Sequence, residues 1–142
     1  MVLSTLSPGV TTVISQSVNL GQVIATSADD GKVILTLLAK GQVIETLEED
    51  HGATIPIHSI NFSSDSLYVG SGSADGMVKI WNLKNRSLQI KSQSHSELVY
   101  SVAWNLNDAI LASGSMNGLI ALHTPEKQLP IGNLTSVPHV SS

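Results

Sequence analysis

The chain has 142 residues, a formal net charge of −4 from 7 Lys+Arg against 11 Asp+Glu, and no cysteine. These values exclude a disulfide framework and thiolate chemistry, and they leave no basic patch to neutralise nucleic-acid phosphates. Charged residues are 13% and apolar residues 42%, a balance that, with abundant Ser, Thr and Gly, suits a β-rich globular domain rather than a disordered one.

The opening stretch MVLSTLSPGVTTVIS lacks the basic n-region and long apolar core of a signal peptide. No apolar run approaches the ~20 residues of a membrane-spanning helix. The expected location is therefore cytoplasmic, with no membrane partner. Without a secretory signal, the sequons at Asn61, Asn85 and Asn133 read as chance matches.

Helical periodicity is nowhere sustained; short apolar runs punctuated by turn residues argue for an all-β fold. In the first third, strands are expected at Val13–Ser17, Gln22–Thr26, Lys32–Leu38 and Gln42–Leu47. The acidic set Glu45, Glu48, Glu49 and Asp50 precedes His51; it reads as a solvated loop, or as a partner-facing one. The middle third is the clearest. His58–Phe62 alternates apolar and polar, Ser63–Ser66 turns the chain, and Leu67–Ser71 forms the next strand. Ala74-Asp75-Gly76 makes a tight hairpin in which glycine supplies positive φ. Met77–Leu83 follows, Asn85-Arg86-Ser87 turns again, and Leu88–Lys91 is the outer strand. The last third repeats this with Tyr100–Trp104, Ala109–Ser113, Asn117-Gly118 and Leu119–His123. Pro125 and Pro130 then interrupt the fourth strand, which is expected to be short and at an edge. Leu134–Ser142 carries no period, and 137–142 is expected to fray.

The glycine turns at Gly31, Gly76 and Gly118 set a period of about 40–45 residues, the spacing of β-propeller blades. Four-stranded units are expected over about 11–50, 51–94 and 95–136, together an incomplete propeller over 1–136. A closed ring needs ~4–8 such units. The chain is therefore expected to be completed in a longer protein or with a partner, and to self-associate if isolated.

Chemistry-bearing motifs are weak. Ser, His and Asp recur once per unit with no Gly-x-Ser-x-Gly elbow, so nothing marks a nucleophile. Gly70, Gly72 and Gly76 have the wrong spacing for a dinucleotide loop, and a strand follows where a helix must begin. The histidines at 51, 58, 95, 123 and 139 show no metal-ligand spacing. No catalytic residue, metal or cofactor is expected.

The segments Gly72–Leu83 (GSADGMVKIWNL) and His95–Ser115 (HSELVYSVAWNLNDAILASGS) resemble WD-repeat proteins. The resemblance implies a polar network in each blade, linking a His, a Ser or Thr, the turn Asp and a strand Trp. Its members here are His51 (or His58), Ser71, Ser73, Asp75 and Trp81 in the second repeat, and His95, Ser113 and Asn117 in the third. His123 stands in the third repeat where Trp is usual, and Thr36 in the first. Trp104 aligns with Phe62 on an innermost strand and reads as core. Over roughly Gln22–Thr124 the chain is also similar to NEDD-type centrosomal proteins, through Trp104-Asn105-Leu106-Asn107-Asp108 and Ile120-Ala121-Leu122-His123. That similarity implies non-catalytic scaffolding at centrosomes and spindles, with the γ-tubulin ring complex or centrosomal components as partners. In that family a separate helical region grips the complex, and nothing in this sequence corresponds to it, so recruitment by this stretch alone is not expected. A general WD-repeat adaptor, such as a ubiquitin-ligase substrate receptor or an RNA-processing subunit, is the alternative. Candidate partner contacts are Asp29, Asp65, Lys79, Asn107 and Asp108.

Overall fold

The computed structural model describes residues 10–18, 21–28, 31–37, 41–47, 55–106 and 110–135. They form twelve strands: β1 (Val10–Val18), β2 (Gly21–Ala28), β3 (Val33–Leu37), β4 (Gln42–Leu47), β5 (Ile57–Phe62), β6 (Tyr68–Ser73), β7 (Met77–Asn82), β8 (Ser87–Gln93), β9 (Val99–Trp104), β10 (Leu111–Ser115), β11 (Leu119–His123) and β12 (Gly132–Thr135). Each consecutive four make one antiparallel sheet, β1–β4, β5–β8 and β9–β12, every strand pairing with its sequence neighbour. The chain is all-β, and its sheets are blade-like.

Local chemistry sets the connections. Gly31, Gly76 and Gly118 all take positive φ, at 81°, 86° and 84°. In the latter two turns the glycine N–H returns to the carbonyl three residues back, Gly76 to Ser73 at 3.2 Å and Gly118 to Ser115 at 3.0 Å. A side chain there would cost about 1–2 kcal/mol in backbone strain alone. Pro125 and Pro130 lie in the connection before β12, which is the four-residue outermost strand of its sheet. Leu134 and Thr135, expected to be irregular, belong to β12 and pair with Ile120 and Leu119. The tail 137–142 lies outside the described residues.

The sheets pack through apolar faces that meet across two seams. One holds Val23, Ala25, Val33, Leu35 and Leu47 of the first sheet against Ile57, Ile60, Phe62, Val69 and Trp81 of the second. The other holds Val78, Ile80 and Ile90 of the second against Val99, Val102 and Leu111 of the third. Successive side chains of a strand alternate between its two faces, so the middle sheet can feed both seams. Its strand β7 is an example, with Val78 and Ile80 in the second seam and Trp81 in the first. The innermost strands each carry one extra residue near their start, shown by register shifts at Val10/Thr12, Ile57/Ser59 and Gly114/Ser115. Such bulges bend a strand and re-aim the extra side chain, here His58 in β5 and Tyr100 in β9.

Candidate interaction surface

The short turns are built by side chains that bond to their own backbone. Asp75 accepts the Ser73 hydroxyl at 2.5 Å and the Met77 N–H at 3.1 Å. Asp65 does the same for Ser63 and Leu67, at 2.6 and 3.0 Å. Asn117 accepts the Leu119 N–H at 3.0 Å and donates its amide to Ser96 at 3.1 Å. An amide oxygen can replace a carboxylate here because the turn needs only an acceptor two residues before the N–H.

The expected second-repeat network is not assembled as drawn. Ser73 and Asp75 are joined, but Trp81, 3% exposed, makes no hydrogen bond through Nε1 among the described residues. The register explains why: Trp81 pairs with Val69, four positions along β6 from Ser73, a distance of about 13 Å on a strand. Ser71 is buried opposite Lys79, one diagonal step from Trp81. His51 lies outside the described residues, and His58 occupies the β5 bulge.

The third repeat does contain a buried polar cluster, built around a residue that sequence reasoning left out of it. Ser113 Oγ lies 2.8 Å from His95 Nε2 and 3.4 Å from His123 Nε2. Ser94 Oγ is 3.2 Å from His123 Nε2 and donates to Ser92 Oγ at 2.8 Å. Burial pushes the His123 imidazole down to about 4, with the neighbouring His95 charge adding to the effect. Burial also lowers His95. Both rings are thus neutral near pH 7, and each leaves Nδ1 without a partner among the described residues. Ser113 is at 0% exposure, and among the described residues no carboxylate bonds to either imidazole, so the set lacks the base–orienter pair of a catalytic triad. Asn117 stays outside the cluster, at the exposed turn.

The second and third sheets are tied together by groups distant in sequence. Trp104 Nε1 donates to the Asn61 carbonyl at 2.9 Å, and its ring stacks on Tyr68 with centroids 6.0 Å apart. The Val102 N–H donates to Ser59 Oγ at 3.2 Å. Trp104, expected as core, is half-buried and packs against the edge of the second seam, where it is also a polar tie. At the outer side Gln89 donates to the Pro125 carbonyl at 2.7 Å. Gln128 brackets β8, donating to the Gln89 carbonyl at 2.8 Å and accepting from the Lys91 N–H at 3.3 Å. Only chemical kind could have signalled these glutamines in the sequence, and kind does not give position.

Two rims are open to a partner. One carries the β6–β7 and β10–β11 turns, with Asp75 and Met116 exposed, and Tyr100 is exposed at the head of β9. The other carries the β5–β6 and β7–β8 turns, with Asp65, Leu67, Lys84 and Arg86 exposed, and Leu106 beside them. Ser64 Oγ donates to the Leu106 carbonyl at 2.8 Å, tying two loops of that rim. Of the expected contacts, Asp65 is exposed but serves its own turn, and Lys79 is half-buried mid-strand. Asp29, Asn107 and Asp108 lie outside the described residues. Among the described residues no group of three His, Cys, Asp or Glu could hold a metal ion, and no helix is long and apolar enough to cross a membrane.

Comparison with known proteins agrees with this geometry. The family model "WD domain, G-beta repeat" matches residues 41–82 and 86–123, more than half of the chain. The chain is 37% identical to Protein NEDD1 of Homo sapiens over 79 residues, 56% of this chain and 11% of that protein. It is 40% identical to COMPASS component SWD3 of Saccharomyces cerevisiae over 76 residues, 53% of this chain and 24% of that protein. The matched stretch is thus a quarter or less of either relative's length. The structure of U3-55K overlays 95% of this chain with a TM-score of 0.84 at 17% identity, a likeness of fold, and 42% of that structure is covered.

Proposed function

The chain belongs to the WD40 family, whose domains are protein-interaction scaffolds, and from that premise we propose that it serves as a docking part of a γ-tubulin ring complex targeting protein in microtubule nucleation. One observation carries the scaffolding role. The clustered polar side chains that are buried bond to turns, to one another or across the seam between sheets, which leaves the exposed loops of the rims for recognition. The centrosomal assignment rests on the similarity to Protein NEDD1 over 79 residues. It also rests on the segment from Trp104 to His123, where histidine replaces the strand tryptophan. The site of action under this reading is the centrosome and spindle, and the partners are centrosomal proteins. Affinity capture with the tagged full chain tests it. Co-purification of γ-tubulin complex or centrosomal subunits, diminished by charge reversal at Lys84 and Arg86 or at Asp65, supports the reading; their absence from the captured set ends it.

The competing reading is a general WD-repeat adaptor, in a ubiquitin ligase or an RNA-processing assembly. The 40% identity to COMPASS component SWD3, no lower than that to Protein NEDD1, favours the general adaptor role over the centrosomal one and selects neither assembly. Recovery of ligase or RNA-processing subunits in the same capture would select it.

A further inference from the structure

One rim of the second and third sheets brings two exposed leucines beside two exposed cations. In the β5–β6 turn, Asp65 accepts the Leu67 N–H and Ser63 Oγ the Tyr68 N–H, both at 3.0 Å, and Leu67 stands 45% exposed. Leu106, just past β9, is 78% exposed, and its carbonyl takes the Ser64 hydroxyl at 2.8 Å. The β7–β8 turn joins them, because the Leu83 N–H donates to the Leu67 carbonyl at 2.8 Å. Asn82 Oδ1 accepts the N–H groups of Lys84 and Asn85 at 2.9 and 3.3 Å, and Asn85 Oδ1 accepts that of Ser87 at 3.1 Å. Lys84 and Arg86 are therefore exposed on a turn whose shape is already fixed, which lowers the ordering cost of binding there.

The same rim holds the strained backbone. Ser66 and Arg86, at φ 63° and 57°, are the non-glycine residues with positive φ among the described residues. Glycine, asparagine or aspartate takes that conformation with less strain. The bonds that shape the β7–β8 turn come from Asn82 and Asn85, so asparagine at 86 would serve the turn better than arginine does. A strained residue that the local shape does not call for points to recognition.

Charge separates this rim from the opposite one. The β6–β7, β8–β9 and β10–β11 connections contain Asp75 and Glu97 and no lysine or arginine. Here Lys84 and Arg86 flank the leucines. Asp65, the described acidic group beside them, is engaged by its own turn, so charge reversal there acts by undoing the turn that seats Leu67. Glu126 and Lys127 of the β11–β12 connection offset each other. In a chain of net charge −4, a negatively charged partner is attracted to this place and repelled by the other rim.

We propose that this rim docks an acidic segment of a partner protein, with its carboxylates paired to Lys84 and Arg86 and a large apolar side chain seated against Leu67 and Leu106. The proposal rests on the scaffold reading above and names the chemistry of the partner. A lipid surface fits less well, since anionic membranes are held by clusters of ~4–8 cations.

Selection from a random peptide library displayed on phage, against the full chain, tests it without any centrosomal component. The capture experiment can therefore fail while this one succeeds, and the reverse. Enrichment of peptides that combine Asp or Glu with a large apolar residue is expected. A synthetic peptide of the enriched sequence, followed by fluorescence anisotropy, should bind at least about tenfold more weakly to Lys84→Glu and to Leu106→Ser, with melting temperatures unchanged. Arg86→Asn should melt no lower than the parent chain and still bind more weakly, which a merely structural arginine would not do. Enrichment of basic or uncharged sequences, no enrichment, or binding indifferent to these variants overturns the proposal. So does co-sedimentation with phosphatidylserine vesicles that Lys84→Glu abolishes, because the occupant is then a lipid surface.

Discussion

The second and third sheets share strand order and the spacing of their glycine turns, yet they fill one deep site in opposite ways. On β7 the site holds Trp81, an apolar body buried against the first sheet with its N–H unpartnered among the described residues. On β11 it holds His123, at 0% exposure and bonded through Nε2 to Ser94 and Ser113. The tryptophan stabilises by the area it removes from water and tolerates one orphaned donor. The histidine has less to bury, and holds its place by joining a chain of hydroxyls and a second imidazole. Equivalent backbone therefore does not impose equivalent chemistry. It imposes burial, and either packing or hydrogen bonding can meet that demand.

The contrast predicts unequal responses to mutation. Trp81→Ala should be the most damaging, by ~3–5 kcal/mol for a truncated buried aromatic, read as the loss of midpoint in chemical denaturation. A loss no greater than that of an exposed residue would break the comparison at its apolar end. Gly76→Ala should come next, at about 1–2 kcal/mol for the left-handed backbone and more from the clash with the His95 carbonyl, against which its Cβ would press. A melt unchanged by this variant would show that the turn can rearrange.

The polar end is tested by pH. The unfolded imidazole of His123 has the ordinary value of 6.5, while the folded one lies near 4. Between those limits the unfolded chain binds more protons, so stability is complete above pH 6.5 and falls as pH drops through the window. His95, lowered in the same direction, adds to the slope. His123→Gln should make the dependence of melting temperature on pH shallower between pH 6.5 and 4, and Trp81→Phe should leave its steepness as it was. Equal slopes for His123→Gln and the parent chain would remove the histidine from the account.

Two smaller effects refine the picture. Trp104→Phe keeps a ring against Tyr68 and deletes the bond to Asn61, for a loss of ~1 kcal/mol; thermal melts of the pair, compared with an Asn61 side-chain variant that spares the carbonyl, would isolate it. Asn117→Asp gives the third turn the carboxylate the second already has and removes the amide donor to Ser96. The change should stay within about 0.5 kcal/mol, as for an exposed site, and a larger shift would give the Ser96 contact more weight than a surface bond warrants.

The fold was legible in the sequence because it rests on local chemistry. Glycines at turn positions with positive φ, acceptors two residues before a strand and alternation within strands all act over a few residues. Asp75 was singled out through the family resemblance, as a member of a network with His, Ser and Trp, and in the structure it accepts from Ser73 and the Met77 N–H. That Trp81 makes no bond to its expected polar partners among the described residues was not foreseeable, since strand register decides whether side chains face each other. The cluster at His123 was half legible: the substitution for tryptophan stood out, but not its bonds to Ser94 and Ser113. The Ser94 bond needs the connection between β8 and β9 to reach β11, and the Ser113 bond depends on the β10–β11 register.

The cadence of tight bends alone thus determined that this chain makes antiparallel sheets of four strands, since each bend constrains only its neighbours. Which side chains meet across the seams was settled by sheets packing on one another. Val99 over Gly72, Trp104 on Asn61 and Gln128 along β8 join residues more than half a repeat apart, and no short-range rule encodes the stacking that brings them together.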